Sequence, residues 1–131
     1  MASEPRADPA GPTHAIVMAT PDGIIRHWDA GAEELFGHAS EAAIGRSLDL
    51  IVPPGFRERH WAAFREAVTT GVCKLDRAAT NLPVLCRDGA VRAFPGRFVF
   101  LQGPRGEVVG AAALYSRPAG GEVPFGPIVP L

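Results

Sequence analysis

Apolar positions in this chain run with a period of two at both ends of the body and with helical spacing between them. AIVMAT is a short β-type run closed by the turn Pro21-Asp22-Gly23, and IIRHWD after it alternates. Together they predict a hairpin of residues 16–19 and 24–28. AGAEELFG reads as one or two helical turns with Asp29 as N-cap and Gly37 as the stop. SEAAIG repeats that pattern, with Ser40 as N-cap and Gly45 as C-cap, and SLDLIVPP adds a turn that Pro53 and Pro54 end. A longer helix is predicted over about residues 55–70, stopped by Gly71. Three strand-like runs come next. Residues 79–87 are closed by Asp88-Gly89, a strong hairpin signal; residues 91–101 carry a Pro95-Gly96 bend that suggests an edge position or a bulge. The third, Val108–Ser116, comes after the turn GPRG. Helices grouped between two sets of strands imply an α+β domain, an antiparallel sheet covered on one face.

One histidine stands out from this pattern. In PPGFRERHWAAFREAVTTG, Phe56 lies four residues before His60, and Ala63, Phe64 and Ala67 lie three, four and seven after it. These positions share one helical face, so the imidazole is aimed inward with them. A neutral imidazole in an apolar interior needs either a hydrogen-bonding group or a metal as its partner.

Composition narrows the function classes. The 131 residues make one domain with a single core, and a formal net charge of -1 points to neither nucleic acid nor an anionic membrane as a bulk partner. No apolar run approaches the ~20 residues of a membrane span, and no signal-peptide pattern opens the chain. Cys73 and Cys86 lack a C-x-x-C spacing and read as free thiols in a reducing cytoplasm, which is the expected location. Residues 1–13 form a Pro/Ala/polar leader expected to be disordered, residues 14–117 the folded body, and residues 118–131 a Pro/Gly-rich tail carrying Phe125, Ile128, Val129 and Leu131. There is no glycine-rich phosphate loop, no G-x-S-x-G, no H-E-x-x-H and no paired-carboxylate constellation, so an enzyme is the less favoured class. No kinase, cyclase, phosphodiesterase or DNA-binding segment follows the body.

The element order and DGIIRHWDAGAEELFGHASEAAIGRSLDLIVPP, then CRDGAVRAFPGRFVF and GEVVGAAALYSR, resemble the PAS domain family over about residues 14–117. Asp29 to His38 and Ala43 to Arg46 carry that family's entry pattern. FRERHWAAFREAVTTG followed by a loop and RDG is similar to the haem-binding PAS domains of FixL-type oxygen sensors. His60 falls on that subgroup's proximal haem position, and the register from His60 to Asp88-Gly89 needs no gap.

The resemblance implies haem b, held with His60 as the iron ligand and with the free ring nitrogen fixed by a hydrogen bond. By the same resemblance, small residues at Ala62, Ala63 and Ala67, with Phe64 on the same helix, would leave room for a flat macrocycle. Leu75, Phe98 and Phe100 would form the apolar distal side, the two phenylalanines sharing one face of a strand. Lys74 and Arg77 would meet the propionates. The subgroup's gas-sensing arginine aligns with Thr80, so the preferred diatomic gas (O2, CO or NO) is not fixed; Arg77 or Arg97 would substitute for it, or the Thr80 hydroxyl would offer the bound gas a weak donor. Gas binding would move residues 71–79 and signal to a separate partner protein, and a homodimer is expected by family analogy.

Other readings compete with this one. His60 can be a core histidine bonded to a carbonyl, and Phe98 and Phe100 are ordinary core positions in any such sheet. Lys74, Arg77 and Arg97 can be solvated charges. His14, His27, His38 and Cys73 are weak ligand candidates. Flavin photoreceptors of the family carry a cysteine where this chain has Gly45-Arg46-Ser47-Leu48-Asp49-Leu50, and neither cysteine suits a thiol-linked chromophore. A PAS module with a non-haem small ligand or a purely interacting role is the main rival, and a small haem enzyme of peroxidase type is the third reading.

Overall fold

The computed structural model describes residues 14–71 and 80–117. Five strands form one antiparallel sheet in the order β2-β1-β5-β4-β3. They are β1 (His14–Ala19), β2 (Ile25–Trp28), β3 (Thr80–Leu85), β4 (Val91–Gln102) and β5 (Val108–Ser116). The helices α1 (Ala30–Phe36), α2 (Ser40–Ala43) and α3 (Arg57–Thr70) fall between β2 and β3, with single 3₁₀ turns at Leu48–Leu50 and Pro54–Phe56. The α+β expectation therefore holds, with the sheet central and the longest helix directly before β3.

Local signals set most of the boundaries. Asp29 caps α1 by accepting from the Ala32 N–H at 2.8 Å, and the same Oδ1 accepts from Ile16 N–H of β1 at 3.1 Å. Gly37 ends α1 and Gly71 ends α3, both in the left-handed region that favours glycine. Gly31 lets α1 lie directly on β1, since a Cβ there would sit 1.6 Å from the His14 carbonyl oxygen. Asp29→Ala removes a cap and a strand tie together, and is expected to cost about 1–2 kcal/mol in urea unfolding. A loss under about 0.5 kcal/mol would show that neither bond matters.

Three expectations are corrected. The C-cap of α2 is Ile44, whose N–H donates to Ser40 O, and not Gly45. Its N-cap is Ala39, not Ser40, with no side-chain bond at that cap; the Ser40 N–H instead donates to Glu33 Oε2 at 2.7 Å. The Pro95-Gly96 pair lies in an inner strand and makes no bulge; the irregularity of β4 falls at Leu101/Gln102. Proline is tolerated because β4 is paired in two halves. Residues 91–96 pair with β3 and residues 96–102 with β5, so Pro95 has no β5 partner to lose.

The edge of β2 is covered by the chain after α2: Ile25 N–H donates to Arg46 O and Gly45 N–H to Ile25 O, both at 2.8 Å. The core gathers on the helical side of the sheet around Phe36, Ile25, Val17 and Val84. Phe36 meets Trp28, Phe94 and Tyr115 edge-on at ring centroid distances of 5.8, 5.1 and 5.0 Å. No helix among the described residues is long and apolar enough to cross a membrane.

Candidate functional site

A cavity of about 290 Å³ lies between α3 and the sheet. Strand register explains its floor. Val17, Ala113 and Phe98 lie side by side across β1, β5 and β4, and Ala19, Ala111 and Phe100 form the next row. The central strand offers alanines at both rows, so the floor is a trough between larger flanks. Leu48, Ile51, Val52 and Pro53 close one side, and Leu82 and Pro83 of β3 another.

The roof is α3. Phe56, His60, Ala63, Phe64 and Ala67 all line the cavity, as their common helical face requires. The Phe64 ring meets Phe100 below it at 5.6 Å between centroids. Arg59, Ala62, Glu66 and Thr70 are exposed lining residues of the helix and form the polar rim. The Arg59 guanidinium lies over the Phe56 ring, 5.3 Å from its centroid.

His60 is the chemically distinctive group. Its ring packs against Trp61 at 4.7 Å and Phe64 at 5.7 Å. Its Nδ1 is buried and has no hydrogen-bond partner among the described residues. Burial lowers its pKa to about 4, with the Asp49 carboxylate pulling weakly the other way, so the ring is neutral near pH 7. Tyr115 also lines the cavity, and burial pushes its phenol above the ordinary value. Among the described residues the interior thus carries polar groups but no charge. A buried polar atom left unpaired costs roughly 1–3 kcal/mol.

Of the residues singled out from the sequence, the structure brings together His60, Ala63, Phe64, Ala67, Phe98 and Phe100, with Ala62 at the rim. Lys74, Leu75, Arg77 and Cys73 lie outside the described residues. Thr80 opens β3 opposite Gly96, and only its backbone is described. Arg97 and His27 are exposed, and His38 packs edge-on against Trp28 at 6.0 Å; none of the three lines the cavity. Cys86 is buried in the core, away from the cavity. Sequence reasoning missed Tyr115, Arg59 and the Ala111–Ala113 floor. Three successive alanines in a strand were the available signal, because strands favour bulkier β-branched residues.

Among the described residues no group of three or more His, Cys, Asp or Glu side chains is placed to hold a metal ion.

Comparison with known proteins identifies the fold that this sheet order and its helices make. A family model described as the PAS fold matches residues 13–118, and the chain belongs to that family. A protein of Azorhizobium caulinodans described only as uncharacterized is 32% identical over 78 residues, 59% of this chain and 11% of the relative's own length. The chain therefore spans about a tenth of that relative. The crystal structure of a PAS domain from Colwellia psychrerythraea aligns with a TM-score of 0.66 at 26% identity, covering 78% of this chain and 83% of that one. The PAS domain of the Cronobacter turicensis RpfR quorum-sensing receptor, in complex with C12:0, aligns with a TM-score of 0.61 at 17% identity, covering 80% and 93%. That last likeness shows the fold alone.

Proposed function

We propose that this PAS domain is a sensor that holds one largely apolar ligand under α3 with His60 as its polar anchor, and that the ligand is haem b. A neutral His60 on the wall of a cavity lined mainly by apolar side chains, with its buried Nδ1 unpaired among the described residues, carries the reading. A protonated imidazole cannot ligate iron, and burial keeps this one neutral through the physiological range. The lining is of the kind a flat macrocycle needs, with small residues at Ala63, Ala67, Ala111 and Ala113 and aromatic walls from Phe64, Phe98 and Phe100, around a space that must widen to admit it. His60 would hold the iron, and Arg59 at the rim is placed to meet an acidic edge group. Haem, when bound, would supply iron able to take a diatomic gas such as O2, CO or NO.

One observation favours a non-haem ligand. A volume of about 290 Å³ is at the low end for small-molecule pockets, and a porphyrin requires the walls to part. An alkyl carboxylic acid fits a space of that size without such parting, with its head group beside His60. The RpfR domain in complex with C12:0 is the parallel.

The absorption spectrum decides between them. Protein titrated with haem is expected to develop a Soret band that shifts or vanishes in His60→Ala. A wild-type protein that stays colourless removes haem and leaves the alkyl acid, which dodecanoic acid titration then tests. Turnover of peroxide well above that of free haem would move the protein into the peroxidase class. Homodimerisation and a separate signalling partner belong to the same proposal, supported by exposed Leu101, Leu114 and Val109 at 38%, 38% and 53%.

A further inference from the structure

The helix bearing His60 is fastened at one end. Arg57 donates from Nε to Val52 O at 3.0 Å and from its guanidinium to Asp49 O at 3.1 Å. One turn on, the Trp61 indole N–H donates to Asp49 Oδ1 at 2.7 Å. The far side of that indole lies on Gly23, the last residue of the turn between β1 and β2. A Cβ built at Gly23 would stand 2.3 Å from Trp61 Cη2, so only glycine allows the ring to settle there. The loop closes on itself, because Gly23 O accepts from Leu48 N–H at 2.9 Å, next to Asp49. Gly23, Trp61 and the Leu48-Asp49 step thus form a triangle in which each corner holds the other two.

The same indole faces the cavity wall. Its ring is 4.7 Å from His60 and 5.3 Å from Phe64, both cavity residues, and Phe64 continues to Phe100 on the floor. A ligand seated against His60 and Phe64 must press on both rings. Both neighbours bear on Trp61, and Trp61 has nowhere to move without shifting Gly23 or breaking its bond to Asp49. Packed interiors transmit such displacements because they lack free volume.

We infer that the Trp61–Asp49–Gly23 clasp couples ligand occupancy at His60 to the conformation of the β1–β2 turn, making that turn a place where the state of the cavity is read out. The inference rests on the ligand reading above. Trp61 and Asp49 are positioning residues in it: they act on the ligand only through His60 and Phe64. Coupling is reciprocal, so loosening the clasp must also change ligand affinity, by about 5-fold or more if the two sites are linked as strongly as typical coupled sites.

Amide NMR on the whole chain tests this, with zinc protoporphyrin IX as the diamagnetic probe, or dodecanoic acid where the absorption test has removed haem. Saturating probe is expected to shift the Ala112 and Phe98 amides, which report the cavity, and the Asp22 and Gly23 amides, which report the turn. In Trp61→Phe and in Asp49→Ala, the shifts at Ala112 and Phe98 should remain while those at Asp22 and Gly23 fall by half or more. A purely structural role would move the free-state spectrum of the variants but not the difference made by the probe. Shifts at the cavity with none at the turn in wild type overturn the coupling and leave the ligand reading standing. Undiminished turn shifts in both variants overturn the route through the clasp. No shift at Ala112 or Phe98 with either probe overturns the ligand reading, and the coupling with it.

Discussion

Phe36→Ala is expected to lower the unfolding free energy by about 3–5 kcal/mol, the range for truncating a fully buried phenylalanine. The residue is 1% exposed and closes α1 against β4 and β5, with three aromatic rings packed edge-on around it. Removing the ring leaves a void among Trp28, Phe94 and Tyr115, and Trp28 is held away from it by the indole's bond to His38 O at 2.8 Å. The backbone tie from Arg87 N–H to Phe36 O, at 2.8 Å, survives the change. Against the roughly 5–15 kcal/mol that holds a typical domain together, the loss is a large fraction. Urea unfolding measures it, and a loss below about 1.5 kcal/mol would show that the core is not centred on this ring. Phe36 does not line the cavity, so the fraction that stays folded should bind ligand as wild type does.

His60→Leu is expected to do the opposite on both counts. In the ligand-free protein it removes a buried nitrogen with no partner among the described residues and puts an apolar side chain among apolar neighbours. Stability at pH 7.5 should rise by about 1 kcal/mol or more, while ligand affinity falls roughly 10- to 100-fold with the loss of the anchor. Acid adds a second signature. The unfolded histidine takes up its proton near pH 6.5, the folded one only near pH 4, so between these values the unfolded chain binds more protons. Wild-type stability must then fall as pH drops from about 6.5, and the loss levels off below about 4. The share due to His60 is up to roughly 3 kcal/mol. The variant should lack that share, which is read as the difference between the two pH profiles. Equal profiles would show that the imidazole is solvated in the folded state.

The contrast between these residues also explains what the sequence disclosed. Asp29, Gly37 and Gly71 act through bonds to neighbours within a turn, so their helix ends could be read directly. The inward aim of His60 followed from helical spacing for the same reason. Ser40 misled because Glu33, seven residues earlier, takes its N–H, an interaction that exists only after α1 and α2 have met. Pro95 misled because the strand around it changes partner beside it. The cavity was half legible: its roof is one helix, but its floor needs β5, far downstream of His60, to enter between β1 and β4. The clasp was not legible at all, since it joins a turn, a 3₁₀ step and a helix that only the closed fold brings together.

The split pairing of β4 has a mechanical consequence. Because its first half belongs to β3 and its second to β5, the sheet is two panels hinged along a crease at Gly96. A side chain at that crease would crowd Leu82 and Tyr115, at 2.8 and 3.1 Å from a Cβ built there. Leu82 belongs to one panel and Phe98 and Phe100 to the other, and the cavity touches all three. Anything bound in the cavity would therefore touch both panels at once, across that crease.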